Sequence, residues 1–229
     1  FRLEGLAYRL VPIRYPENTN PNVYGGVALD VMYANVMENW RWGGMDNVED
    51  GIYMDENNRR MVTNFRLQMA HLGDVFMNEG DGERALDIFE KVLSVMPEKN
   101  VPLSRVLLSI QSGLLELTMQ DSSRGAIVYE LPIDRRARAK ELGTHLTSRL
   151  FDMHADELRY YHSLDKSRYN AVIQERRMAK QIADLMIQTS SIFLPDDSLT
   201  SQLQAEMEEL EYMMAETERS FIELGSFEF

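Results

Sequence analysis

Along most of this chain apolar residues recur at steps of three and four, the spacing that aligns them on one face of a helix. The clearest run occupies residues 69–97, MAHLGDVFMNEGDGERALDIFEKVLSVMP. Met69, Leu72, Gly73 and Phe76 share one stripe, Gly80-Asp81-Gly82 interrupts it, and Ala85, Phe89 and Val92 form a second stripe that Pro97 closes. A glycine inside a helical stripe costs about 1 kcal/mol relative to alanine, so Gly73 marks a place where a neighbouring helix comes too close for a side chain. The pattern predicts two antiparallel helices, with Ala85 opposite Gly73 and Phe89 filling the space beside it.

Elsewhere the same reading gives a sequence of helices behind a short non-helical start. In residues 1–16 Leu6, Tyr8 and Leu10 alternate, and Val11-Pro12 and Tyr15-Pro16 favour extended backbone, so 1–25 is expected to be an extended lead-in or strand, with a loop at 17–22. Residues 26–229 then read as one helical, repeat-like domain. Leu29, Met32, Tyr33, Val36 and Trp40 predict a helix that stops near Gly43-Gly44. Helical spacing resumes near Asn57, runs through Met61 and Phe65 into the hairpin, and starts again directly after Pro102, which suits a first turn.

A break is expected at 121–125, and 126–132 is ambiguous between strand and helix. Long helices follow over 134–163, 166–192 and 198–224. Leu142, Leu146, Leu150, Met153 and Tyr161 line the first, and Leu142-Gly143 with Leu146 faintly echoes the first half of the hairpin. Tyr169, Val172, Ile173, Ala179, Ala183 and Met186 line the second, and Pro195-Asp196-Asp197 separates it from the third with an Asp cap. Leu203, Met207, Leu210, Met214, Thr217, Phe221 and Leu224 make a seam of seven-residue period, with Glu206, Glu208, Glu209, Glu211, Glu216 and Glu218 crowded around it. This predicts a terminal helix laid over the core with a solvated acidic back; the alternative is a partner-binding or dimerising coil.

Composition narrows the function classes. With 44% apolar and 27% charged residues in 229, the chain can bury a real core. A formal charge of -13 repels nucleic-acid phosphates, so no nucleic-acid partner is expected. The absence of cysteine removes disulfides, thiol nucleophiles and zinc–thiolate sites. The most apolar run, 106–117, contains Glu116 and falls short of the roughly 20 residues that cross a bilayer. The chain opens at Phe1 without a methionine or a signal peptide, which leads to the expectation of an upstream segment.

The order L-G-x-x-F, G-D, A-x-x-x-F-x-x-V and a closing proline over 64–97 closely resembles a tetratricopeptide repeat, with Met69 in place of the usual tryptophan and Gly82 in place of the usual aromatic after the turn. The resemblance implies an all-α fold of tetratricopeptide-like antiparallel hairpins stacked as an α-α superhelix. Three further stretches, GLAYRLVPI, NWRWGGMDNVEDGIYMDENNRRM and the hairpin through VMPEKNVP, look like the C-terminal soluble region of a bacterial family of multi-spanning membrane proteins of unknown function. The membrane half of that family is similar to protein O-mannosyltransferases. The resemblance implies an extracytoplasmic domain, attached to an upstream glycosyltransferase-like membrane part whose catalytic residues are not in this sequence.

Candidate chemistry is sparse. Trp40 and Trp42 could form an apolar platform for a sugar ring, and with Tyr53 and Arg59 they are the residues proposed for binding; packing of a helix end is the ordinary alternative. Asp46, Asp50 and Gly51 catch part of a calcium-loop pattern, but Val48 occupies a ligand position and Asn57 stands where a bidentate Glu is required. His154, Glu157 and His162 lie one and two turns apart and make a poor metal candidate, and His71 is expected at the surface or the core edge. Arg135, Arg136 and Arg138 read as a solvated face or a contact for an acidic partner or lipid headgroups. Phosphate loops and G-x-S-x-G elbows are missing. The expected function is a non-catalytic scaffold without cofactor, binding a protein or its own membrane domain; the alternative is a carbohydrate-binding or carbohydrate-processing module.

Overall fold

The computed structural model describes residues 1–5, 7–12, 25–120, 128–195 and 197–225. Leu6, Tyr15-Pro16, the loop at 17–22, the break at 121–125, the start of 126–132 and Asp196 lie outside the described residues. The protein is mostly helical, and it divides into two compact units, Phe1–Lys140 and Glu141–Phe229.

In the first unit the extended start becomes a small sheet. β1 (Arg2–Leu3) pairs antiparallel with β2 (Tyr8–Arg9) and parallel with β3 (Gly26–Val27). Helix α1 (Leu29–Ala34) follows and widens into a π-helical turn, Asn35–Asn39, closed by a hydrogen bond from Trp40 N to Asn35 O. The helix therefore ends before Trp40, which is extended, and does not run on to Gly43-Gly44 as expected.

Helix α2 (Glu56–Asn78) starts at an Asp55 cap, whose carboxylate accepts from Asn58 N at 2.7 Å. Its other end shows why the sequence breaks at Gly80. Gly80 N donates to Met77 O and Asp81 N reaches back to Phe76 O, a pair of bonds that requires a left-handed residue between helix and turn, and Gly80 has φ +82°. Asp81 then caps α3 (Gly82–Val95) through Arg84 N. The two helices form the expected hairpin, with Met69, Leu72, Phe76, Ala85, Phe89 and Val92 all fully buried.

The notch at Gly73 is filled differently from the expectation. A β-carbon built there would lie 2.1 Å from Cε1 of Phe89, so the ring of Phe89, and not Ala85, is what Gly73 admits. The opposite side of the same ring meets Gly113, where a β-carbon would lie 2.7 Å from Cε2. Gly113 belongs to α4 (Leu107–Glu116), which packs on both α2 and α3. That helix begins five residues after Pro102, because the intervening chain first turns at Ser104, which accepts from Leu107 N. Pro102 keeps its carbonyl for Arg66, a residue whose importance the sequence hid. Arg66 is 1% exposed and donates to Met96 O, Val101 O and Pro102 O at 3.1, 3.1 and 2.8 Å, meeting carbonyls just beyond the end of α3.

Helix α5 (Ile133–His162) continues into the second unit. The segment expected as one helix over 166–192 is divided at Val172 into α6 (Lys166–Ala171) and α7 (Ile173–Phe193). Asp197 accepts from Leu199 N as α8 (Ser198–Gly225) begins. Leu203, Met207 and Leu210 of its seam are buried, so this half of the seam is core. The acidic back is not simply solvated: Glu206 pairs with Arg159, Glu211 with Lys180, and Glu218 with Arg176.

Substituting Gly73→Ala tests the close approach by its sign. At an open helix position the change stabilises by about 1 kcal/mol. Against the Phe89 ring it is expected to destabilise by about 1–3 kcal/mol, read from chemical denaturation, and pairing it with Phe89→Leu should recover part of the loss. A raised midpoint would refute the packing.

Candidate functional site

The stretch nominated for binding is the segment between the π-helical turn and α2, residues 40–55. Extended backbone places residues i and i+2 on one side, and Trp40 and Trp42 accordingly meet edge to face, with centroids 5.6 Å apart and planes at 69°. They pack on each other, both part-buried, and do not present two parallel faces. Gly43 and Gly44, both left-handed, turn the chain into two successive bends, Met45 N to Trp42 O and Asn47 N to Gly44 O. Asn47 then folds its carboxamide oxygen onto Glu49 N and Asp50 N at 3.0 and 3.3 Å.

What holds this loop comes from elsewhere in the chain. Asn100, 4% exposed, donates from Nδ2 to Met45 O and Asn47 O, each at 2.7 Å, and accepts from Ile52 N at 3.0 Å through Oδ1. One carboxamide thus satisfies three backbone groups. Beside it Lys99 Nζ donates to Glu49 O at 2.9 Å and to Val48 O. Four loop carbonyls that could have turned towards a cation are engaged by an amide and an ammonium. Asn57 sits in the first turn of α2, where Asp55 is the cap.

Tyr53 and Arg59 are both exposed. The ring of Tyr53 is 90% exposed. Arg59 turns its Nε back to Met54 O at 3.1 Å and, with Glu56, Arg60, Thr63 and Asn64, lines an open depression on the first turns of α2. The structure therefore brings the two tryptophans together and leaves Tyr53 and Arg59 as exposed groups on the outer surface.

The basic cluster at the start of α5 is tied to groups of its own unit. Arg135 bridges Asp87 and Glu90 of α3, Arg138 also reaches Glu90 at 2.7 Å, and Arg136 donates to Tyr129 O. These arginines are engaged by the chain's own acids and backbone, Arg135 and Arg136 half-buried and Arg138 exposed. Tyr33 donates to the same Asp87 at 2.6 Å, and burial first, then that carboxylate, pushes its phenol up to about 12. Arg84 pairs with Asp81 and Asp30 while its guanidinium lies 4.5 Å from the centroid of Phe76.

In the second unit His154 bonds Glu157 through Nδ1 at 2.8 Å, and its Nε2 is buried without a partner. Both ring nitrogens of His162 are buried and, among the described residues, without a hydrogen-bond partner, and the ring stands 5.3 Å from the centroid of Tyr169. Among the described residues no group of three or more His, Asp or Glu side chains could hold a metal ion. The half-buried Asp74 accepts from Ser109 at 2.7 Å, and desolvation raises its pKa.

Two consequences are open to measurement. Removing the Asn100 carboxamide by Asn100→Ala leaves three backbone groups without their partner, and local opening of 40–55 should become easier by about 1–3 kcal/mol; faster hydrogen exchange at Ile52 reads this, and unchanged exchange would contradict it. Burial, and then Arg176, lowers the pKa of His162 below the ordinary 6.5, so the unfolded state takes up its proton first. The stability held by neutral His162 is complete above that ordinary value and is lost as pH falls through the depressed folded one. Denaturation midpoints should drop between pH 7.5 and 5, and by less in His162→Phe; equal drops would refute the assignment. Comparisons with protein-family models, with curated proteins and with solved structures find no match in any of the three.

Proposed function

We propose that α2, α3 and α4 form a tetratricopeptide-like packing unit and that the chain is a non-catalytic scaffold holding a protein segment. The observation that carries this reading is the ring of Phe89 lodged against Gly73 on one side and Gly113 on the other. The second helix of the hairpin thereby engages the helix before it and the helix after it, the geometry by which stacked hairpins propagate. The face of α2 turned away from Gly73 carries Asn64, Gln68, His71 and Val75 at steps of four, three and four, exposed or half-buried, and it is the face assigned to the partner.

The stretches quoted for the membrane family support placing the chain on the extracytoplasmic side of a bacterial membrane, with its own membrane-bound portion as the partner. No helix among the described residues is long and apolar enough to cross a membrane, so the spans of such a protein would lie outside these residues. A photo-crosslinking side chain at Gln68, used in native membranes, is expected to capture a protein partner or the membrane portion. No adduct, together with full function after deletion of α2–α4, would overturn the reading.

A second reading, a carbohydrate-binding surface, is favoured by one feature: Tyr53 stands 90% exposed on a loop that Asn100 and Lys99 hold in shape, close in sequence to Trp42. Titration with glycan fragments should then show binding that Tyr53→Ala or Trp42→Ala weakens by about tenfold. Flat curves for the unaltered chain would end this reading.

A further inference from the structure

The first half of the seven-residue seam of α8, Leu203, Met207 and Leu210, is core, and α7 carries a second seam on its outer side. Gln174, Met178, Gln181, Leu185 and Gln188 follow one another at steps of four, three, four and three, and all five are exposed, Met178 and Leu185 at 40% each. The buried side of the same helix, Ala179, Ile182, Ala183, Met186 and Ser190, is fully separate from it. In a chain with 27% charged residues, this stripe holds none. Among the described residues the side-chain amides of the three glutamines form no hydrogen bond.

The order of residues is what identifies the occupant. Glutamine, apolar, glutamine, apolar, glutamine reads the same from either end, so a second copy running antiparallel, related by a two-fold axis at Gln181, meets like with like. Gln181 faces Gln181, Gln174 faces Gln188, and Met178 comes within one residue of rise, about 1.5 Å, of Leu185. A carboxamide both donates and accepts, so it can pair with its own copy, and polar residues in such a seam fix register. Charge agrees with this arrangement. Arg177 and Asp184 flank the stripe on one edge, seven residues apart, and the same axis brings each beside the other on the opposing copy. Among the described residues Arg177 forms no ion pair, and Asp184 holds only Lys180 from its own helix.

We propose that the outer face of α7 is an isologous interface between two copies of this chain, antiparallel about Gln181. The cysteine-free sequence allows a direct test on the 229-residue chain. Under mild oxidation Gln181→Cys should give a disulfide-linked dimer, Gln174→Cys alone should not, and a mixture of Gln174→Cys with Gln188→Cys should. In sedimentation velocity the unaltered chain should associate reversibly with concentration, and Leu185→Glu should weaken association by about a hundredfold or more. Arg177→Asp should weaken it too, with recovery in the doubly reversed Arg177→Asp/Asp184→Arg chain. Circular dichroism on each variant separates lost association from lost folding, and the exposed positions are expected to fold. A chain that stays monomeric, stripe variants that leave association unchanged, or equal crosslinking from Gln174→Cys alone would overturn the proposal. A monomer whose stripe captures a different macromolecule would overturn it as well.

Discussion

One aromatic ring, that of Phe89, fixes the arrangement of the first unit. It lies between two backbones that carry no β-carbon, Gly73 on α2 and Gly113 on α4, and a methyl group at either position would have to displace it. Close-packed interiors leave no slack for such a displacement. The order in which α2, α3 and α4 can pack is therefore decided by where a flat side chain fits between two smooth helix surfaces. The other ties of this unit attach to the outer sides of that stack: Tyr33 meets Phe76 edge to face and bonds Asp87, and Asp87 and Glu90 hold the arginines at the start of α5.

The turn that follows α3 is the second organising point, and it works through polar groups. Arg66 brings a guanidinium into the interior, where among the described residues no carboxylate meets it, and holds three carbonyls of the turn. Burial lowers its pKa to about 10, which still leaves it protonated at neutral pH. The cation meets the negative end of the α3 dipole. From the same turn Lys99 and Asn100 reach outward to the loop before α2. The turn is thus read from inside by one side chain and reads the loop outside with two.

The hairpin was legible in the sequence because Met69, Leu72, Gly73 and Phe76, then Ala85, Phe89 and Val92, fall at helical spacing on either side of a glycine break, with Pro97 closing the second run. That Gly73 would admit Phe89 rather than Ala85 was not legible, since a stripe names a face and leaves ring orientation to the third helix. Arg66 reads as a gap in the stripe Val62, Met69, Gly73, and nothing local announces three carbonyls some thirty residues away. Asn100 was hidden for the same reason, its partners lying 48 to 55 residues back along the chain. The break at Val172 has no proline or glycine to mark it. Of the nominated binding residues, the tryptophan pair meets because extended backbone brings alternate residues to one side, whereas Tyr53 and Arg59 were chosen by type and stand apart on the surface.

Asn100 and Val101 are covalent neighbours, yet one grips the loop at 45–52 and the other is gripped by Arg66. A single peptide bond thus joins the side chain that shapes the outer loop to a carbonyl that meets the buried guanidinium.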